Sequence, residues 1–283
     1  MLVTSRELLL DAQKNGYAVG AAGAIIFTTN GTDWSVHPQS GVITTATIYG
    51  VSFVGSNGWI GGGADNVVCQ IYSTTDGGAT WVNSVVTNPS TDMCTDIVFA
   101  SATVGVAGID ANGCMYTTDG GANWVRSTMN YGMYPYSRYD IEAVRAVSAT
   151  TWVATGWGST VGLQPTAILV STDGGVNFNA PDPMYSWATY AYGNNIAKFD
   201  DGELVVVGGG TQSAGYTIHG TGPNYTAWTR YPAFYAEEIK DACVMPGTNK
   251  IVAVGAAGLI AMSLDRGATW NFLYDGGMPF QGI

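Results

Sequence analysis

An eight-residue stretch that recurs along the chain constrains the fold more than any other feature of the sequence. Its clearest copy, TTDGGATW, spans residues 74–81. Residues 117–124, 171–178 and 263–270 repeat its order of a hydroxyl residue, an aspartate, a glycine and a closing aromatic residue. Two weaker copies, at 28–34 and 221–228, have Asn30 and Pro223 in place of the aspartate. The sequence therefore contains six copies of one repeat.

The spacing of the copies predicts the architecture. The closing aromatic residues fall at positions 34, 81, 124, 178, 228 and 270, which are 47, 43, 54, 50 and 42 residues apart. Spacings of about 40 to 50 residues are typical of propeller blades, because one blade cannot bury both of its faces alone. We expect an all-β, six-bladed β-propeller of four-stranded antiparallel blades that forms a single domain over residues 1–283. The blades are predicted at approximately 5–40, 41–88, 89–130, 131–182, 183–233 and 234–283, with the C-terminus packed on blade one.

Turn residues divide each repeat into four strands, called A to D in chain order. The strands of blade two are predicted at 46–54, 58–62, 69–73 and 80–86, and those of blade six at 242–245, 251–255, 259–263 and 269–274. Residues 5–15 fit either an N-capped helix or the first strand of blade one. Because NGYAVG at 15–20 aligns with NGWIGG at 57–62, we favour the strand.

The repeated stretch is predicted to form the turn between strands C and D. Its aspartate can accept hydrogen bonds from backbone N–H groups of the turn, its glycines permit positive φ, and the hydroxyl two residues earlier can bridge the turn. The Trp then opens strand D and is expected to bury its ring against the neighbouring blade, with its indole N–H on a carbonyl. Because a catalytic carboxylate is not expected in four equivalent copies, we interpret these residues as structural. The set is Asn30, Trp34, Asp76, Trp81, Asp119, Trp124, Asp173, Phe178, Asp265 and Trp270.

These turns resemble the Asp-box, or bacterial-neuraminidase, repeat family over about nine tenths of the chain. GYAVG at 16–20, followed by a strand and TTNG at 28–31, is most similar to propellers related to photosystem II assembly factors, and sialidases carry the same boxes. The resemblance implies that ligands use the face opposite the boxes, built from the B–C and D–A loops. A short likeness of residues 7–21 to class II aldolases is set aside as coincidental, because those enzymes need several zinc-binding histidines and this chain has only His37 and His219.

Composition narrows the classes of partner. Charged residues make up 11% of the chain, less than half of the usual share of about 25%, and the net charge of -11 disfavours nucleic acid and anionic lipid. We expect neither a secretory signal nor a membrane span. Neither zinc-ligand spacing nor a phosphate-binding loop is apparent, so no metal and no cofactor are predicted.

The four cysteines, Cys69, Cys94, Cys114 and Cys243, lack CxxC spacing and lie in or beside apolar strands. They are expected to be buried free thiols. A disulfide between Cys94 and Cys114 is the alternative for a protein that works outside a cell.

Departures from the repeat indicate where a ligand could bind. They are the D–A connections at 131–140 and 184–192 and a B–C insertion at 156–165, all expected on the face opposite the boxes. Aromatic rings there can stack on sugars or anchor a protein, with hydrogen bonds from Arg138, Asp140 and Asp182, or they can simply cover the strand ends. The candidate binding residues are Tyr134, Tyr136, Arg138, Tyr139, Trp157, Tyr185, Trp187, Tyr190 and Tyr192.

Three functions fit these patterns. We favour a non-enzymatic binding or structural propeller, such as a phage virion or tail component, that contacts other proteins of an assembly or a surface glycan. An assembly factor resembling the photosystem II propellers and a sialidase-like glycosidase are the alternatives. The glycosidase would need Arg138, Arg145 and Arg230 to converge near Tyr139 and Glu142, whereas no catalytic residue is predicted here and His37 and His219 are interpreted as ordinary polar side chains.

Overall fold

The computed structural model describes residues 5–10, 15–64, 69–86, 92–111, 113–130, 138–159, 166–181, 192–210, 213–235 and 238–274. These residues form six sheets, one after another along the chain, each built on four antiparallel strands in the order A–B–C–D. The fold is a six-bladed β-propeller, as predicted. Among the described residues, no helix is long and apolar enough to cross a membrane.

The chain divides into two compact units. The first comprises Met1–Ser127 and Gly174–Val176, and the second comprises Thr128–Asp173 and Asn177–Ile283. The first unit contains blades one to three, and the second contains blades four to six apart from three residues of one turn. The single domain over residues 1–283 stays a prediction, and the C-terminal residues 275–283 lie outside the described part of the chain.

The strands of the first unit follow the sequence repeat. Residues 5–10 form a strand, which confirms the preferred alternative for the N-terminus. Blade one consists of β1 (Ser5–Leu10), β2 (Gly16–Gly20), β3 (Ala24–Thr28) and β4 (Ser35–Val36). Blade two consists of β5 (Thr47–Val54), β6 (Asn57–Gly63), β7 (Gln70–Thr74) and β8 (Val82–Asn83). Blade three contains β10 (Cys94–Phe99), β11 (Gly105–Ile109), β12 (Gly113–Thr117) and β13 (Asn123–Arg126), with β9 (Val85–Val86) added at its edge.

The second unit repeats this arrangement with longer strands. Blade four contains β15 (Arg138–Ala146), β16 (Trp152–Ser159), β17 (Thr166–Ser171) and β18 (Asn177–Asn179), with β14 (Thr128–Asn130) at its edge. Blade five consists of β19 (Tyr192–Lys198), β20 (Leu204–Gly210), β21 (Ser213–Thr221) and β22 (Ala227–Tyr235). Blade six consists of β23 (Ile239–Val244), β24 (Ile251–Gly255), β25 (Ile260–Ser263) and β26 (Asn271–Tyr274). Strand A of blade six therefore begins at Ile239, earlier than the predicted residue 242.

The outer edges of three blades are partly covered by the connection from the preceding blade. The predicted strand D of blade two, 80–86, is wrong as one strand, because Val85–Val86 pair in parallel with β13 of blade three. In the same way β14 pairs in parallel with β18 of blade four. On blade two the edge is covered by a side chain instead of a strand. Gln39 accepts a hydrogen bond from Trp81 N at 2.7 Å and donates one to Trp81 O at 3.2 Å. Covering an edge in this way satisfies its backbone groups and blocks pairing with other chains.

Each unit buries its core between consecutive sheets. In the first unit the clusters include Ile25, Val51 and Trp81 between blades one and two, and Trp59, Ile97 and Trp124 between blades two and three. In the second unit they include Val153, Ile196 and Tyr216 between blades four and five, and Val205, Ile239 and Leu259 between blades five and six. The faces of the blades are thus the hydrophobic surfaces that one repeat alone would leave exposed.

The repeat turns have the predicted hydrogen bonds. In blade two, Asp76 Oδ1 accepts from Thr74 Oγ1 at 2.6 Å and from Thr80 N at 2.9 Å, while Thr74 Oγ1 accepts from Gly78 N at 3.0 Å. The aspartates of the other three full copies accept equivalent bonds; these are Asp119, Asp173 and Asp265. In blade one Asn30 Oδ1 takes over this role and accepts from the backbone N–H of Thr32 and of Asp33.

The closing aromatic residues follow the prediction only in part. Trp81, Trp124 and Phe178 are buried, but Trp34 is 37% exposed. The turn of blade one is one residue short, and a shift of one residue turns a strand side chain to the opposite face. The indole N–H of Trp81 is buried and has no hydrogen-bond partner in the described part of the chain, whereas that of Trp270 donates to Gly267 O in its own turn at 3.1 Å.

Repeat turns are fixed to the preceding blade through a glycine carbonyl. Tyr17 Oη donates to Gly77 O and Trp59 Nε1 donates to Gly120 O, both at 2.8 Å. In the second unit Thr217 Oγ1 donates to Gly267 O at 3.1 Å. These contacts give the turns a structural role in joining consecutive blades.

All four cysteines are free, so the alternative of a Cys94–Cys114 disulfide is wrong. Cys69, Cys94 and Cys114 are buried as expected. Cys243 is exposed, contrary to the expectation, because it lies on the outward side of β23, between the half-buried Val244 and the buried Ala242.

Candidate functional site

The predicted binding residues fall into three groups in the structure. Trp157 lies in β16 and Tyr192 opens β19. Arg138 and Tyr139 belong to β15, of which only the backbone is described at these positions. Tyr134, Tyr136, Tyr185, Trp187 and Tyr190, together with Asp182, lie outside the described residues.

Parts of two segments expected to be loops, residues 138–140 and 156–159, are strands. Arg138 pairs with Ser159 and Asp140 pairs with Trp157, so the hairpin of β15 and β16 extends into both segments. The remaining residues of these segments, 131–137 and 160–165, lie outside the described part of the chain. The physical reason is that residues 138–140 and 156–159 satisfy each other's backbone groups, which a sequence pattern based on glycine and tyrosine content does not reveal. Asp140 is only 2% exposed and is therefore not available to a ligand in the way proposed from the sequence.

The structure brings Trp157 and Tyr192 together. Their ring centroids are 5.4 Å apart and their planes are inclined by 67°. Trp157 Nε1 donates to Glu142 Oε1 at 3.3 Å. All three side chains are partly exposed. We refer to Trp157 and Tyr192 as the ring pair.

In blades four to six, a bulge in the first strand places a polar residue near this ring pair. The pairing of strands A and B shifts at Glu142 in blade four, at Asn194 in blade five and at Lys240 in blade six. Blades one to three have the bulge at the equivalent positions, residues Arg6, Tyr49 and Thr95. Bulges redirect a side chain and are common beside functional sites. Sequence reasoning missed Asn194 and Lys240, although a polar residue that interrupts the apolar strand A was the available signal.

Hydrogen bonds connect the first strands of blades four, five and six. Arg145 Nη2 donates to Asn195 Oδ1 at 3.0 Å, and Asn195 Nδ2 donates in turn to Asp241 Oδ1. A second set joins Asn194 Nδ2 to Glu238 Oε1 at 2.8 Å and to Ile239 O at 2.6 Å. Lys240 Nζ lies 2.7 Å from Glu238 Oε2. The site is therefore a polar network on packed strands rather than a set of separate side chains.

Burial raises the pKa of the Glu142 carboxyl above its usual range, and the negative charges of Asp140 and Glu238 act in the same direction. The hydrogen bond from Trp157 and the positive charge of Lys240 oppose this rise. Burial also raises the pKa of Tyr192, with further contributions from Glu238 and Glu142. The Glu142 carboxyl and the Tyr192 hydroxyl therefore lie in a site of low polarity with excess negative charge.

The arginines that a sialidase-like site would need have different described contacts. Arg145 donates to Val144 O and to Asn195 on the first strands. The guanidinium of Arg230, on the outer strand β22, lies 5.0 Å from the centroid of the Tyr216 ring.

Comparison with known proteins identifies the fold. No protein-family model and no curated protein matches the sequence. Among solved structures, the chain is similar to YCF48 bound to D1 peptide, with 18% identity, a TM-score of 0.67 and coverage of 96% of this chain and 83% of that one. YCF48 from Cyanidioschyzon merolae gives 15% identity, the same TM-score, and coverage of 96% and 86%.

An enzyme is among the similar structures as well. The Niastella koreensis GH74 enzyme is 15% identical with a TM-score of 0.69, and the match covers 95% of this chain but 45% of the enzyme. Identities this low show the propeller fold alone. Because one fold hosts both binding proteins and enzymes, function has to be argued from the site.

Proposed function

We propose that this propeller is a non-enzymatic binding protein that holds an extended segment of another protein at the first strands of blades four to six. The observation that carries this proposal is the ring pair, Trp157 and Tyr192, placed beside the carboxylate of Glu142. Partly exposed Trp and Tyr side chains dominate the binding energy of many protein interfaces, because they combine a large apolar area with a polar group.

The geometry favours a polypeptide over a flat sugar ring. The two rings are inclined by 67°, so they do not form one coplanar platform on which a sugar face could stack. Asn194, Glu238 and Lys240 lie nearby as hydrogen-bonding groups for a backbone or side chains. The likeness to YCF48 bound to D1 peptide supports a peptide as the ligand class, although the sequences are only 18% identical.

The phage virion or tail role and the photosystem-type assembly role are two forms of this proposal that differ in the partner. Both would use the same surface, which we expect the aromatic residues at 131–137 and 182–191 to extend. Membership of the Asp-box family is also proposed, on the strength of the hydrogen bonds in the repeat turns. The presence of the protein in purified virions, measured by mass spectrometry, would separate the two forms.

Selection of peptides tests the proposed binding function. A random peptide library is panned against the wild-type protein, Trp157→Ala and Tyr192→Ala, with Trp34→Ala as a control that removes a partly exposed indole from blade one. We expect the peptides enriched on the wild type to bind each ring-pair variant at least about tenfold more weakly and to bind Trp34→Ala unchanged. Equal binding to all four proteins would refute the proposed surface. A parallel glycan array that gives binding lost only in Trp157→Ala would reassign it to a sugar.

A glycoside hydrolase is the second candidate, and Glu142 is the observation that favours it. A carboxyl group whose pKa is raised by burial stays protonated closer to neutral pH, as a general acid requires. The likeness to the GH74 enzyme is consistent with this alternative. A panel of fluorogenic glycosides tests it: turnover above the blank that disappears in Glu142→Gln would establish the enzyme, and no turnover on any glycoside would remove this candidate.

A further inference from the structure

We infer that the site takes a cationic side chain from its partner, the ammonium group of a lysine or the guanidinium group of an arginine, with its charge on Glu142 and its alkyl chain against the ring pair. This inference rests on the proposed function and specifies the chemistry of the segment that is bound.

Within the described residues, the carboxylate of Glu142 forms no ion pair. Its one hydrogen bond within the described part of the chain comes from Trp157 Nε1 at 3.3 Å, and no Lys, Arg or His nitrogen described there forms an ion pair with it. The other partly buried glutamates of this unit differ, because Glu238 pairs with Lys240 at 2.7 Å and Glu203 pairs with Arg266 at 2.6 Å. A charge removed from water without a partner is destabilising, so a cation supplied from outside would recover this free energy.

The position of the ring pair also favours a cationic side chain. The face of Trp or Tyr attracts a cation within about 6 Å of the ring centroid, and Trp does so most strongly. The indole N–H of Trp157 donates to the Glu142 carboxylate, and the centroid of the Tyr192 ring lies 5.4 Å from that of Trp157. Because an indole N–H lies in the plane of its ring, a cation that pairs with Glu142 lies at the edge of Trp157, and the lysine or arginine that carries it would place its methylene groups against the ring pair.

The charges that surround the site are mostly negative, which favours a cation as well. Negative charges of Asp140 and Glu238 contribute to the raised pKa of Glu142, and those of Glu238 and Glu142 contribute to the raised pKa of Tyr192. Lys240, which lies near Glu142, forms an ion pair with Glu238. With a net charge of -11, the whole protein also attracts basic segments and repels acidic ones.

The test follows the indole N–H of Trp157 by NMR in the full-length, ¹⁵N-labelled protein. Its signal is identified by its loss in Trp157→Phe. Three blocked peptides, Gly-Gly-X-Gly-Gly with X as lysine, arginine or norleucine, are titrated separately. We expect a saturable shift with the lysine or arginine peptide and none with norleucine, which has a similar alkyl chain without the charge. Glu142→Gln should weaken binding of the cationic peptide at least about tenfold.

Asp201→Asn is the matched control, because it removes one negative charge from the same unit at an exposed turn. It should leave the titration unchanged. Equal shifts with norleucine and lysine would overturn the cationic assignment while leaving the aromatic binding surface in place. A Trp157 signal that no peptide moves would also overturn this inference, and the peptide selection would then decide the proposed function separately.

Discussion

The hydroxyl group that opens the repeat turn is buried in every blade except blade five, and it accepts and donates hydrogen bonds within the turn. Thr117 is 1% exposed, and its Oγ1 donates to Asp119 Oδ1 at 2.8 Å and accepts from Gly121 N at 3.0 Å. We expect Thr117→Val to keep the shape but leave the N–H of Gly121 buried and unpaired. The free energy of unfolding in urea should fall by about 1–3 kcal/mol.

Thr117→Ser supplies the control for this prediction. The serines Ser171 and Ser263 occupy the same position in two other turns and form the same bond to the aspartate. Serine at position 117 should therefore cost much less than valine. An equal loss of stability in the two variants would mean that packing of the methyl group, rather than the hydroxyl, explains the choice of threonine.

His219 is a buried titratable group of blade five whose ordinary pKa lies near neutral pH. Its Nδ1 lies 3.0 Å from Glu203 Oε1, while its Nε2 is buried, has no hydrogen-bond partner among the described residues, and faces Gly267 of blade six. Burial lowers the pKa of His219 below its ordinary value of 6.5, although the carboxylates of Glu203 and Asp265 act in the opposite direction. The neighbouring charges are those two carboxylates and Arg266, which also binds Glu203.

The sign of the pH effect follows from this lowered pKa. Below pH 6.5 the unfolded chain binds a proton at His219 more readily than the folded protein does. The free energy of unfolding is therefore highest above pH 6.5 and decreases as the pH falls below that value. The slope for one such group is at most about 1.4 kcal/mol per pH unit. Urea unfolding at pH 7.5, 6.5 and 5.5 should show a steeper loss in the wild type than in His219→Gln. Parallel curves for the two proteins would contradict the assignment.

At the scale of the blade, Arg266 connects blade five to the turn of blade six. It lies in a repeat turn at φ 62°, where Gly77 and Gly120 have φ 72° and 76°. Its Nη1 reaches Asp201 at 2.7 Å and Glu203 at 2.6 Å, in the turn before strand B of blade five. This ion pair therefore fixes the repeat turn of blade six to the A–B turn of blade five.

Two variants separate the ion pair from the backbone conformation. Arg266→Ala loses the ion pair and keeps a side chain at positive φ, whereas Arg266→Gly loses the ion pair but relieves the conformation. We expect both to be less stable than the wild type, and the glycine variant to be more stable than the alanine variant by about 1 kcal/mol in urea unfolding. If the alanine variant is as stable as the glycine variant or more stable, positive φ destabilises the folded protein little at this position.

The sequence alone is sufficient to predict the elements that depend on local signals. The C–D turns and β24 (Ile251–Gly255) were predicted correctly, because hydroxyl, Asp and Gly positions act within a few residues. The edge strands β9 and β14 were missed because they pair with residues of the following blade. Local propensity does not report such pairing, and it likewise did not indicate that Arg266 would contact Asp201 and Glu203.

The candidate site shows the same limit. Trp157 and Tyr192 were selected as aromatic departures from the repeat, and the structure places their rings in contact. The role of Glu142 in bonding to Trp157 depends on a bulge and a paired strand, and was not predicted. Glu238 and Asn194 were missed because their hydrogen bond joins two blades. The contribution of residues 131–137 and 182–191 to this site stays a prediction.

For the whole molecule, the net charge should vanish at a higher pH than the pH at which the fold is lost. The sequence has a pI of about 4.3, where the net charge vanishes and solubility should be lowest. The carboxyls of Asp76 and Asp119 remain ionised at this pH: hydrogen bonds from the Thr74 and Thr80 hydroxyls lower the pKa of Asp76 to about 2, and those from Asn123 lower the pKa of Asp119. Their stabilising effect is present above the ordinary aspartate pKa of 3.8 and is lost as the pH falls through the lowered values.

We therefore expect light scattering to be greatest near pH 4.3 while the near-UV circular dichroism stays native, and the native signal to disappear only at lower pH, between about pH 3.8 and 2. The double variant Asp76→Asn/Asp119→Asn, which cannot ionise at these turns, should be less stable at neutral pH and lose less of its remaining stability across that acidic range. Loss of the native signal together with the scattering maximum would refute the argument, because it would mean that the turn carboxylates do not maintain the blades once the net charge has gone.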